Sequence, residues 1–159
     1  MPEPSYMYQV ADAYNGYLFA LKRVEIRRKE WIEVRKHLLL DRLRTIKGQF
    51  NIDAQVQELE VPNTIGAVAL VFNRVDSGIT KKDTLPPQVY GLDPGSLAFT
   101  QSTNGTVSVF VMMPKIEEHT RESTPDLLRI VEPEELDEKL IDELFVEFMY
   151  LLTAWHIGS

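Results

Sequence analysis

The chain has 159 residues, 44% hydrophobic and 26% charged, which is long enough for one domain with its own core. A net charge of −7 makes it a poor general binder of nucleic acid or anionic membrane, and the absence of cysteine excludes disulfide staples, thiol nucleophiles and thiolate metal sites. No apolar run approaches the ~18 residues of a bilayer span, and residues 1–21 lack the basic start of a signal peptide, so a cytoplasmic protein without a membrane partner is expected.

Residues 1–5 read as a tail, with Ser5 placed to cap a helix from Tyr6. Residues 6–47 read as helical, with no proline until Pro62 and with Gly48 where a C-terminal cap belongs. Asn15-Gly16 is the weak point, where the helix kinks or breaks in two. If continuous, this helix is roughly 60 Å long. That exceeds a domain of this size, so part of it should project or pair with another chain.

Charge is segregated along the chain. Lys22–Lys47 holds ten of the seventeen basic residues and four acids, a balance of +6 inside a chain of −7. Residues 117–147 carry twelve acids against Arg121, Arg129 and Lys139. Two segments of opposite sign, each with an apolar stripe, invite antiparallel packing within the chain or across a dimer. The alternative is a nucleic-acid surface in which Lys22, Arg23, Arg27, Arg28, Arg35, Lys36, Arg42 and Arg44 meet phosphates. Glu25, Glu30 and Glu33 interleave the bases, and Trp31 is the only aromatic among them, which favours pairing.

Residues 51–61 alternate as a half-buried strand with a bulge near Glu58, and 65–75 read as a central strand apolar on both faces. Residues 76–95 read as a long loop, punctuated by Gly78, Pro86-Pro87 and Asp93-Pro94-Gly95, and could act as a lid. Asn104-Gly105 between two alternating runs predicts a hairpin. Residues 127–131 read as an edge strand or a helical turn, and a helix follows over 133–156 with proline and acids in its first turn. Its stripe of Leu136, Leu140, Ile141, Leu144, Phe148, Leu151 and Trp155 widens to almost the whole circumference beyond Leu144. The expected architecture is a single α+β domain over 1–159. An antiparallel sheet of about four strands carries both helices on one face.

No motif carries chemistry. His37, His119 and His156 share no metal-ligand spacing, the serines make no nucleophile elbow and the glycines make no phosphate loop. Glu117, Glu118 and His119 could hold a divalent ion but read better as a solvated loop, so no metal or cofactor is expected. The tyrosines at 6, 8, 14 and 17 read either as a partner surface or, more simply, as a helix lying on the sheet with its hydroxyls at the edge. The surplus of apolar surface points to a non-enzymatic adaptor- or chaperone-like interaction domain. It is expected to form a homodimer and to meet a further protein partner. The contact residues would be Tyr14, Tyr17, Arg27, Arg28, Trp31, Arg35, Phe148 and Trp155. Nucleic-acid binding through 22–47 is the second reading, and a small-molecule site or enzyme under the 76–95 lid the third.

Overall fold

A helical rod runs from Pro4 to Gln49 in the computed structural model, which describes residues 4–60, 66–120 and 124–158. It comprises α1 (Pro4–Glu30), a single π turn (Trp31–Arg35) and α2 (Lys36–Gln49). Its length is about 70 Å. Asn15-Gly16 does not break it. A mid-helix glycine costs only about 0.5–1 kcal/mol, and α1 carries it inside 27 unbroken residues. The helix begins at Pro4, so Ser5 lies within it rather than before it.

The π turn has an identifiable cause. Trp31, Leu39 and Leu43 are all fully buried on the rod's inner side. The twelve residues from Trp31 to Leu43 would set those side chains about 120° apart in a regular α-helix. One extra residue in the turn, closed by the Lys36 N–H donating to the Trp31 carbonyl, takes out about 100° of that difference. The rod's left-handed C-terminal cap is Asn51 rather than the expected Gly48. Asn51 adopts φ 51° and the Ile52 N–H donates back to the Lys47 carbonyl at 3.0 Å. Asparagine tolerates this left-handed position, so glycine is not required there.

Five antiparallel strands form the main sheet in the order β1-β2-β5-β6-β8, where β1 is Ala54–Leu59, β2 Ala67–Phe72, β5 Ser96–Gln101, β6 Val107–Met112 and β8 Asp126–Val131. The predicted bulge near Glu58 is absent, because β1 pairs with β2 in unbroken register from Ala54↔Phe72 to Leu59↔Ala67. The irregularity lies instead on the β6–β8 edge, between Val109 and Phe110. The Asn104-Gly105 hairpin forms as its sequence demands, with Ser102 N–H donating to the Thr106 carbonyl and Gly105 at φ 88°.

Residues 76–95 are not a loop. β3 (Val75–Thr80) and β4 (Val89–Asp93) pair with each other, and β7 (Lys115–Ile116) completes a second sheet in the order β3-β4-β7. This sheet continues the first. β2 runs on into β3 past Asn73-Arg74, β4 into β5 past Pro94-Gly95, and β6 into β7 past Met113-Pro114. Segments such as VDSGIT and VYGLD interrupt strand-favouring Val, Ile, Thr and Tyr with Asp and Gly, which strands disfavour. They are strands because the ladders they extend already hold them in place.

The core lies between the rod, the main sheet and α3 (Glu138–Gly158). It joins Trp31, Leu39 and Leu43 to Val68, Leu70, Leu97, Phe99, Val109 and Val111, and to Ile141, Leu144 and Phe148. All the helices therefore cover one face of the sheet. Residues 133–135 form a separate 3-10 turn, and α3 starts later than expected because Asp137 caps it, its Oδ1 accepting from the Leu140 N–H at 2.8 Å. Its side-chain partners show that α2 and α3 run parallel, not antiparallel. Arg35 reaches Leu136, Arg42 reaches Asp142, and Phe50 shares a hollow with Phe145 and Val146. The chain crosses the whole sheet between the two helices, so it re-enters the helical layer at the end where the rod entered it.

Candidate functional site

The basic segment of the rod is turned toward the chain's own acids. Arg27 donates through Nε and Nη2 to the two carboxylate oxygens of Glu132, each at 2.7 Å. Arg23 stands 3.7 Å from Glu132 and 3.4 Å from Glu134. Arg42 makes the same forked pair with Asp142, at 2.8 and 2.6 Å. Such forked pairs fix geometry as well as charge. The fork from Arg27, helped by the charge of Arg23, holds the Glu132 carboxyl below its ordinary range against the opposing effect of burial. Arg42 does the same to Asp142. Arg35 is held by Glu30 at 2.8 Å and by the Leu136 carbonyl at 3.1 Å, and Arg28 donates to the Thr103 carbonyl. Four of the arginines that could have faced phosphates thus serve to clamp the rod onto 132–142.

The same clamp fixes the hairpin. Arg27 Nη1 donates to the Asn104 carbonyl at 3.1 Å, and the Gln101 amide donates to the carbonyls of Arg27 and Gly105. Gly105 is required twice over. Its φ is left-handed, and a Cβ there would meet the Arg27 Cβ at 2.6 Å.

N-terminal to this clamp the rod leaves the domain. Every residue from Tyr6 to Lys22 is exposed. The exposed large apolar side chains include Tyr14 at 60%, Tyr17 at 59% and Phe19 at 68%, with Met7, Val10, Leu18 and Leu21 beside them. This overturns the simpler reading of the tyrosines, because no part of the sheet lies beneath them. Asp12 is the only charged residue between Tyr6 and Leu21.

The arm's apolar residues are patterned. Met7, Val10, Tyr14, Tyr17, Leu21 and Val24 alternate at spacings of three and four, the core positions of a coiled coil. Ala11, Ala13, Leu18 and Ala20 flank that seam, while Gln9, Asp12, Asn15, Gly16 and Lys22 share the other side with Tyr8 and Phe19. This repeat is the signal that spacing alone should have revealed.

A second exposed surface is the sheet face opposite the helices. Half-buried Ala98, Phe110 and Met112 lie on it by strand alternation, over buried Ala67 and Ala69, with Leu127 at 53% and Ile130 at 56% exposure on its edge. A cavity of about 420 Å³ lies along the β3–β4 hairpin, between Lys81, Thr84, Tyr90 and His119. Of its charged lining residues, Lys81 is matched by Glu117 at 3.7 Å. Glu117 accepts from the Gly91 N–H and faces Lys81 and Arg74, which together hold its carboxyl low, and Lys81 lies over the Tyr90 ring. Among the described residues no group of three acids or histidines is placed to hold a metal ion, and no helix is long and apolar enough to cross a membrane.

The eight residues expected to make contacts fall into four places. Tyr14 and Tyr17 lie together on the arm. Arg27, Arg28 and Arg35 belong to the intramolecular clamp. Trp31 and Phe148 are fully buried in the core. Trp155 is half-buried beside Phe72, Leu92 and Leu152 at the opposite end of the domain. No protein-family model, curated protein or solved structure matches the chain.

Proposed function

We propose that this chain is a cytoplasmic, non-enzymatic interaction module that works as a homo-oligomer, in the manner of a small adaptor or chaperone. One observation carries the reading. A helical arm of about 30 Å stands clear of the domain and presents an uncharged apolar seam to solvent. Isolated exposed apolar residues are ordinary, but a continuous stripe of this kind marks an interaction surface. The arginine clamp argues against phosphate binding by the same helix, since those charges are already matched by carboxylates.

Light scattering coupled to size exclusion tests the proposal. At micromolar concentration the chain is expected to run at twice its 18.3 kDa or above. The variant Tyr14→Glu/Tyr17→Glu should run as a folded monomer. A monomeric parent chain would remove the reading. Binding of labelled RNA at low salt, lost when Lys29 and Arg44 are reversed, would replace it with the nucleic-acid alternative.

A further inference from the structure

We infer that the arm's occupant is the arm of a second copy, packed antiparallel, with residues whose numbers sum to 31 facing each other. This rests on the reading above that the arm is an assembly surface, and it specifies the geometry of that assembly.

The orientation follows from what surrounds the seam. The line Val10, Tyr17, Val24 reaches Trp31 at steps of seven. A straight helix drifts only about 20° per heptad from such a line. Trp31 lies under the sheet, so the seam and the sheet occupy the same side of the rod. Beyond Val24 that side is filled by the chain's own hairpin, with Arg27 against Gly105 and Arg28 on the Thr103 carbonyl. A partner rod running parallel would continue unbroken through its own α2 and collide with this hairpin. An antiparallel partner brings only its first helical turn to the hairpin, and its domain lies beyond the far end of the arm.

The register follows from the heptad. Antiparallel coiled coils pair the first core position of each heptad with the second core position of the other chain. Sums of 24 and 38 obey the same rule, but 31 alone engages all six core residues of the arm: Met7 meets Val24, Val10 meets Leu21, and Tyr14 meets Tyr17. Ala13 and Ala20 line one flank and allow close approach of the two backbones. Charge supplies no competing preference, because no core or flanking position from Tyr6 to Val24 is ionised. The area suffices as well. Four tyrosine rings at about 150 Å² each contribute some 600 Å². Met7, Val10, Leu18, Leu21 and Val24 from each copy carry the total past the ~1,000 Å² that specific interfaces need.

The chain lacks cysteine, so introduced thiols report without interference. Val10→Cys and Leu21→Cys are oxidised separately and as an equimolar mixture, both sites being exposed and harmless to the domain core. The antiparallel register predicts a covalent dimer in the mixture and little in either variant alone. Cross-linking of each variant with itself would establish a parallel pair and overturn this inference while leaving assembly through the arm intact. A dimeric chain that cross-links in none of the three samples also overturns it. A monomer by light scattering overturns the inference together with the functional reading beneath it.

Discussion

Replacing Glu132 with glutamine removes one charge at the junction of the rod, the hairpin and the chain's return into the helical layer. The Arg27 and Glu132 side chains are 20% and 26% exposed. They therefore lie between a surface pair, worth about 0–1 kcal/mol, and a buried one, whose disruption costs about 3–5 kcal/mol. Glutamine keeps the shape and one acceptor, so the expected loss is about 1.5 kcal/mol, discounted for solvent screening. In a chain of this length that is a fall in Tm of about 3–6 °C. The assay is thermal unfolding by circular dichroism, parent against Glu132→Gln, across a pH series. Because Arg27 lowers the folded-state pKa of Glu132 from its ordinary 4.5, the pair's contribution is fully present above that value. It is lost as pH falls through the lowered folded value. The gap between the two melting curves should hold from pH 7 to about 5 and then narrow with further acid. A gap below 1 °C at pH 7, or one that stays constant into acid, would refute the assignment of Arg27–Glu132 as the clamp.

Gly105→Ala should cost roughly 2–3 kcal/mol by chemical denaturation, combining left-handed strain with collision against Arg27. Gly78→Ala shares a positive φ but meets open space, so it should cost only about 1 kcal/mol, and equal costs would show that the hairpin does not press on the rod. Trp31→Ala removes the largest fully buried side chain and should destabilise by about 3–5 kcal/mol in the same assay. A loss under 1 kcal/mol would mean that the rod is not seated on the core through this residue.

The parts of the fold that local chemistry dictates were legible. Asn104-Gly105 announced its hairpin, the Leu136–Phe148 stripe announced α3, and the opposite charges of 22–47 and 117–147 announced their pairing. What escaped was set by context. β3 and β4 have strand-favouring residues broken by Asp and Gly, and they form as extensions of β2 and β5. The relative direction of α2 and α3 depends on the route across the sheet, on which charge complementarity is silent. The arm was half legible. Tyr14 and Tyr17 were singled out, but an aromatic helix on a sheet and an aromatic helix in solvent have the same composition. The three-four repeat from Met7 to Val24 marks one apolar side of the helix, which a helix on a sheet would also show, and the length of the unbroken rod is what leaves that side in solvent.

The π turn at Trp31–Arg35 acts as the angular setting of the arm. Deleting one residue there would leave the arm's bearing unchanged, because a plain α-helix one residue shorter turns through the same angle; closing the same residues into plain α-helix would instead rotate everything N-terminal to it by about 100° relative to the domain. The seam's composition would be untouched, yet it would no longer share a side with the sheet. A single widened turn therefore couples two surfaces that never touch: how the domain packs inside determines the compass bearing at which it offers its arm.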